Sequence, residues 1–269
     1  MNLQALANEI KVARDRRRPL APISGRVAGF DIATAYEVAD LVHRARLRDG
    51  ERAVGRKIGF SNRDLWPVFG VTAPVWGYVY DRTVVHLPQS RGRYRIGSLL
   101  EARIEPEIVV RFGSAPPVPG DPSAVLASID WIAHGFEIVE SPFPGWKFQA
   151  SDAIAACALH AALLVGEPRT IGQLGPDVLT RLARFTLTLT CDGKERDRGG
   201  GAKVLDSPVA ALAHLISVLA SQPRAQPLGA GELVTTGTLT GAPLIHGGES
   251  WTTALDGIDL PGLGLDLEA

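Results

Sequence analysis

The chain has 269 residues, 45% hydrophobic and 21% charged, a balance that suits one substantial core with or without a small appended element. A net charge of −1 supplies no field for nucleic acid or an acidic membrane surface. Two cysteines far apart, Cys157 and Cys191, exclude a disulfide framework or a thiolate zinc site and fit a reducing compartment.

Residues 2–15 place Leu3, Leu6, Ile10 and Val12 at helical spacing, ahead of the basic run Arg14–Arg18. With charges after the apolar residues and no long apolar stretch, this is not a secretory leader. No segment reads as a membrane span, so a cytoplasmic protein is expected. A second helix is predicted from Ile32 to about Arg48, with Asp31 as N-cap and Ala35, Val38, Leu41 and Val42 as its apolar stripe. Residues 1–50 are therefore predicted as a helical N-terminal segment and 51–269 as the catalytic domain.

After Gly50, short β-branched and aromatic runs recur between turn signals: VGRKIGF, GYVYDRTVVHL, RIEPEIVVRF, FEIVE, RFTLTLTCDGKERD and GELVTTGTL. Asp192-Gly193 marks a hairpin. Three helices are expected among them. One follows Asp121-Pro122 to about His134; the second covers SDAIAACALHAALLV from a Ser151/Asp152 cap, with His160 in its middle; the third runs from Ser207 to about Ala220. Generous glycine and proline favour an α+β, β-rich chain. Regular βαβ alternation, a GxGxxG turn and a Walker loop are all missing, which removes dinucleotide and P-loop readings; Gly199–Gly201 reads as a turn.

The chemistry lies in Arg103-Ile-Glu-Pro-Glu-Ile-Val-Val110. On a strand, Glu105 and Glu107 share one face while Ile104, Pro106, Ile108 and Val110 share the other. Two carboxylates a few ångströms apart in apolar surroundings repel unless a proton or cation lies between them, and a hard divalent ion such as Mg²⁺ or Mn²⁺ resolves this. Pro106 suggests an edge strand or a bulge. A second acidic strand, Phe136-Glu137-Ile138-Val139-Glu140, offers a third ligand; Glu137 and Glu140 cannot share a face, so only one joins the set. Lys57, inside a short apolar strand, is a candidate for a substrate carboxylate or for proton transfer, with Lys147 a second of that kind. His160 reads as a core or cleft histidine, and the six histidines show no zinc spacing.

These motifs together resemble the 2-hydroxypentadienoate (2-keto-4-pentenoate) hydratases and 4-oxalocrotonate decarboxylases of the fumarylacetoacetate hydrolase superfamily. The matching pieces are VGRKIGF (54–60), WGYVYD (76–81), RIEPEIVV (103–110), FEIVES (136–141), SDAIA (151–155), GGGAKVLDSPVAAL (199–212) and TTGTLTGA (235–242). RIEPE is the most specific. The resemblance implies a mixed, rolled sheet around a metal, usually in a homo-oligomer, with a pathway partner enzyme possible in such families. It implies Glu105, Glu107 and Glu137 as ligands of Mg²⁺ or Mn²⁺ and Lys57 facing the substrate, with Asp81 at or beside an acidic position of the family. Lys57, with Asp81 or Glu140, is expected to move protons or orient the water, although Glu140 stands where Asp or Gly is usual, and Ser61, Lys147, His160 and Thr240, with Lys57, are expected at the substrate. The helix after the third ligand departs from the family's D-T-[IV]-A-D-N-A-S, reading Asp152-Ala-Ile-Ala-Ala-Cys157-Ala-Leu159-His160.

The implied reaction is hydration of a 2-hydroxy-2,4-dienoate to a 4-hydroxy-2-oxo acid, a step in aromatic catabolism. Decarboxylation of a 2-oxo-enedioate, through the same dienolate, is the alternative. An acylpyruvate hydrolase would need a His-x-x-Glu lid before the metal strand; His134/Glu137 and His246/Glu249 both follow it. A non-catalytic partner subunit keeping the fold is the remaining expectation.

Overall fold

The computed structural model describes all residues, 1–269. The helices are α1 (Leu3–Asp15), α2 (Ile32–Arg48), α3 (Trp66–Phe69), α4 (Pro122–Ala127), α5 (Ala150–Ala155), α6 (Ile171–Leu174), α7 (Val178–Arg184) and α8 (Pro208–Ser221). The strands are β1 (Ala53–Gly59), β2 (Val75–Tyr80), β3 (Val84–His86), β4 (Arg91–Arg95), β5 (Arg103–Phe112), β6 (Ile129–Val139) and β7 (His160–Val165). They continue with β8 (Arg169–Thr170), β9 (Thr186–Cys191), β10 (Lys194–Gly200), β11 (Leu233–Thr238), β12 (Ser250–Asp256) and β13 (Gly264–Glu268).

The larger sheet has the order β2-β1-β11-β5-β6-β7-β3, with β8 also on β6; the smaller has β10-β9-β12-β13-β4. Both are mixed: β1/β11, β3/β7 and β13/β4 run parallel and the other pairs antiparallel. The larger sheet rolls until β2 approaches β7. One core joins the two sheets and α8, through residues such as Ile104, Phe112, Leu189, Leu212 and Trp251. Inside the roll lies a small apolar plug of Val79, Val109, Ala133, Leu163 and Val165. The N-terminal helices share a second core with the 139–159 stretch, where Ile10 and Val38 meet Phe143 and Ile154.

Several expected elements appear as read. Asp31 accepts from Thr34 N at 2.8 Å to cap α2, α8 starts behind Ser207, and Asp192-Gly193 joins β9 to β10 with both residues at positive φ. The stretch 201–221, which contains the helix predicted from Ser207, is long and apolar enough to cross a membrane by length and composition alone; half of it is buried as α8 and the turn before it.

Three expectations change. The helix predicted to reach His134 stops at Ala127, where Ser128 Oγ donates to Val125 O, and Ile129–Val139 pairs residue by residue with β5. Helical spacing lost to that ladder because eleven residues rich in Ile and aromatics fit a doubly covered strand better. The helix predicted over 151–165 runs only from Ala150 to Ala155, capped by Gln149, and His160 opens β7 instead of lying mid-helix. Finally, β5 is an interior strand, and the irregularity beside it is in its neighbour: a register shift in β11 between Thr235 and Thr238, opposite Ile108 and not at Pro106.

Candidate metal centre

Antiparallel pairing puts Glu105 directly opposite Glu137, and Glu107 opposite Gly135. The pleat turns all three carboxylates to the inner face of the roll, and one oxygen from each lies within 4.8 Å of the others. Glu107 and Glu137 are fully buried, so the site opens on the side of Glu105. Lys57, on β1, reaches the same space: Nζ is 3.2 Å from Glu137 Oε2 and 4.0 Å from Glu105 Oε2, and donates to Ala158 O at 3.1 Å. The shift in β11 aims the Gly237 amide at Glu107 Oε2, to which it donates at 2.7 Å. At φ +108° and with Ser61 Oγ 1.9 Å from where a Cβ would stand, position 237 admits only glycine.

Burial pushes the Glu105 carboxyl up to about 7, Glu137 adding to the rise and Lys57 opposing it. Burial, then Glu137 and Glu105, drive Glu107 well above its ordinary value. Glu137 would rise for the same reason, but Lys57 and the His160 hydrogen bond hold it below. Lys57 would fall on burial, yet the three carboxylates keep it above its usual value.

Glu107 Oε1 is buried with no hydrogen-bond partner, and Glu137 Oε2 faces only the Lys57 ammonium at 3.2 Å. Fully ionised, three carboxylates and one ammonium carry a net charge of −2 in a buried space, which is why burial favours protons on Glu105 and Glu107 unless a cation replaces them. An all-oxygen donor set of this charge fits a hard divalent ion.

The remaining candidates divide. His160 joins the cluster: Nδ1 is 2.7 Å from Glu137 Oε1 and Nε2 is 2.8 Å from Thr83 Oγ1. Ser61 is buried beside Gly237. Thr240 is buried in the loop after β11, and its hydroxyl donates to Gly241 O at 2.8 Å. Glu140 points elsewhere; it pairs with Arg17 and accepts from Leu100 N at 3.2 Å, with Arg14 4.0 Å away. Asp81 is bound to Arg52 at 2.9 Å outside the cluster, which lowers its pKa through the Arg52 backbone and side-chain hydrogen bonds. Lys147 is exposed. His134 is a core histidine, its ring nitrogens 2.9 Å from Glu107 O and from Thr253 Oγ1, and burial lowers it to about 4. His246 and Glu249 form a surface pair 3.1 Å apart.

Sequence patterns gave no sign of the turn that follows α5. Cys157, Ala158 and Leu159 all take left-handed φ, at 57°, 49° and 64°. For side chains with a Cβ this costs about 1–2 kcal/mol per residue, so the surroundings must impose it. Arg14 does so from α1: buried, it donates to Ala156 O at 2.8 Å and also to His160 O. Gly77 allows the close approach, since a Cβ there would meet Cys157 O at 2.7 Å. Arg14 read only as part of a basic run; nothing in its spacing marks a residue 142 positions from its partner.

The fold is shared with solved enzymes. The structure matches 4-oxalocrotonate decarboxylase from Pseudomonas putida G7, solved with magnesium and adipate, at a TM-score of 0.89 and 24% identity over 98% of this chain and 97% of that one. It matches fumarylpyruvate hydrolase from Pseudomonas aeruginosa, solved with Mn²⁺ and pyruvate, at 0.57 and 17% over 81% and 89%. No family model matches the chain. In sequence it is 29% identical to 2-hydroxyhexa-2,4-dienoate hydratase of Comamonas testosteroni over 85% of this chain and 83% of that protein. The figures for 4-oxalocrotonate decarboxylase of a Pseudomonas species are 29%, 90% and 93%, and for 2-keto-4-pentenoate hydratase 2 of Dechloromonas aromatica 28%, 95% and 94%. The chain is thus a homologue of the 2-keto-4-pentenoate hydratases and 4-oxalocrotonate decarboxylases, as its motifs implied.

Proposed function

We propose that this protein is a divalent-metal-dependent lyase that hydrates a 2-hydroxy-2,4-dienoate to a 4-hydroxy-2-oxo acid. The observation that carries the reading is the cluster of Glu105, Glu107 and Glu137, with Glu107 Oε1 unpartnered and Lys57 beside Glu137 Oε2. These three carboxylates would hold Mg²⁺ or Mn²⁺, which supplies Lewis-acid polarisation to a 2-oxo acid's oxygens when bound. Hydratase relatives over most of the chain support the substrate class.

Lys57 Nζ is fixed by Ala158 O, Glu137 and Glu105 and faces the open, Glu105 side of the cluster. As a buried ammonium it stabilises the enolate oxygen of the substrate and exchanges the proton that converts dienol to enone. Water then adds at the conjugate position. The apolar plug behind the carboxylates keeps bulk solvent from the inner wall.

Decarboxylation of a 2-oxo-enedioate is the second reading. A decarboxylase relative covering 90% of the chain favours it, and it needs the same stabilised dienolate. The deciding experiment incubates the protein with Mg²⁺ or Mn²⁺ and 2-hydroxypenta-2,4-dienoate, following loss of diene absorbance, and with a 2-oxo-hex-enedioate, following CO₂. Dienoate turnover without CO₂ release from the diacid is the expected result. Consumption of neither overturns both readings.

A further inference from the structure

We propose that His160 is a positioning residue that orients Glu137 for metal binding, set in place by the left-handed turn Cys157–Leu159 and by Thr83. The inference rests on the metal reading above.

Both ring nitrogens are engaged. A carboxylate accepts and does not donate, so the hydrogen between His160 and Glu137 is on Nδ1, which donates to Oε1 at 2.7 Å. Thr83 Oγ1, 2.8 Å from Nε2, takes up the opposite edge of the ring and also lies 2.9 Å from Tyr80 O. The ring is 3% exposed, so no nitrogen is left to meet a substrate. With Oε1 occupied by His160, Oε2, which faces only the Lys57 ammonium at 3.2 Å, is the oxygen of Glu137 that remains for a cation. A hydrogen bond from outside the ligand set that fixes a carboxylate's rotation is the device by which metal sites hold their geometry.

The backbone fits this role. At a helix end the chain would ordinarily turn through glycine, but here three side-chain-bearing residues take left-handed φ in succession. The Arg14 guanidinium grips the carbonyls at both ends of that turn, Ala156 and His160, while Lys57 binds the carbonyl of Ala158 in its middle. One turn therefore fixes two side chains of the site, the imidazole by its Cα position and the ammonium by its carbonyl. The same stretch, Asp152–His160, also departs in sequence from the pattern that the resemblance implies.

The test is Mn²⁺ affinity, measured by electron paramagnetic resonance titration and calorimetry without substrate, for wild type, E105Q, H160A, H160N and H160Q. Asparagine keeps an N–H donor near the place of Nδ1; glutamine carries it toward Nε2. Expected are Mn²⁺ binding about 10–100-fold weaker in H160A and H160Q, and within about threefold of wild type in H160N. If H160A does not fold, judged by circular dichroism, the Asn/Gln pair decides alone: equal affinities overturn the proposal. Wild-type affinity in H160A and H160Q with a raised KM would make His160 a substrate contact instead. Absence of Mn²⁺ binding by wild type, or full binding by E105Q, sinks the metal reading itself and this inference with it. Failure in the histidine variants alone leaves the metal reading standing.

Discussion

The two sheets spend their burial on opposite chemistry. The smaller sheet covers Leu187, Leu189, Cys191, Trp251, Leu265 and Leu267 and leaves its charges, such as Glu195 and Arg198, in solvent. The larger sheet buries Lys57, Glu107, Glu137, His160 and Thr235 on its inner face, with several oxygens lacking a partner. The first pattern maximises apolar area removed from water at little electrostatic cost. The second costs folding free energy in the metal-free protein and is retained because the uncompensated charge is a binding site. Neighbouring strands of one molecule thus separate the parts that stabilise from the parts that act.

That contrast is broken most directly at Glu107. Glu107→Gln keeps an acceptor for Gly237 N and removes a carboxyl whose ionisation burial opposes. Turnover with Mg²⁺ is expected to fall by about 10³-fold or more, since a ligand and its charge are lost. The metal-free protein should change in stability by no more than about 1 kcal/mol, because burial already favours the protonated, neutral carboxyl there and the amide replaces one neutral group by another. Assays with added Mg²⁺ and denaturant titrations in chelator read the two effects separately. A marked loss of stability in chelator would mean that the trio is structural.

The smaller sheet should give the reverse. Trp251 is 1% exposed and sits between β9 and β13, so Trp251→Ala removes a large side chain from the joint core. About 3–5 kcal/mol of stability should go. Mn²⁺ affinity of the fraction still folded at low temperature should stay within about threefold of wild type. A large fall in affinity there would show that the two sheets are energetically coupled.

The same division explains what could be read from sequence. Period-two alternation in RIEPE placed Glu105 and Glu107 together without knowledge of the neighbours, because a strand's pleat is a local property. The capped helices α1, α2 and α8 were legible for the same reason. His160 was misplaced onto a helix because AACALHAALLV has no glycine or proline at the break; the halt comes from Arg14 and Gly77, both distant in sequence. Glu137 and Glu140 could be told to face apart, but which one joined the site came from the family likeness, and the partner that removes Glu140 is Arg17 on the far side of the chain.

Glu140 supplies the mildest test of the division. It is 2% exposed, yet its oxygens are engaged by Arg17 and by Leu100 N at 3.2 Å, and neither belongs to the carboxylate cluster. Glu140→Gln sets an amide NH₂ against one of these donors, so a buried pair becomes a poor contact. Because Arg17 keeps a third of its surface in solvent, the loss should be nearer 2 kcal/mol than the larger figure for a fully buried pair. In a chain of this length that is a fall of about 5 °C in Tm. With Mg²⁺, kcat should remain within about threefold of wild type. A 100-fold loss of kcat at unchanged Tm would show instead that Glu140 turns into the site during turnover, and that acidic groups on both sides of β6 share in the chemistry.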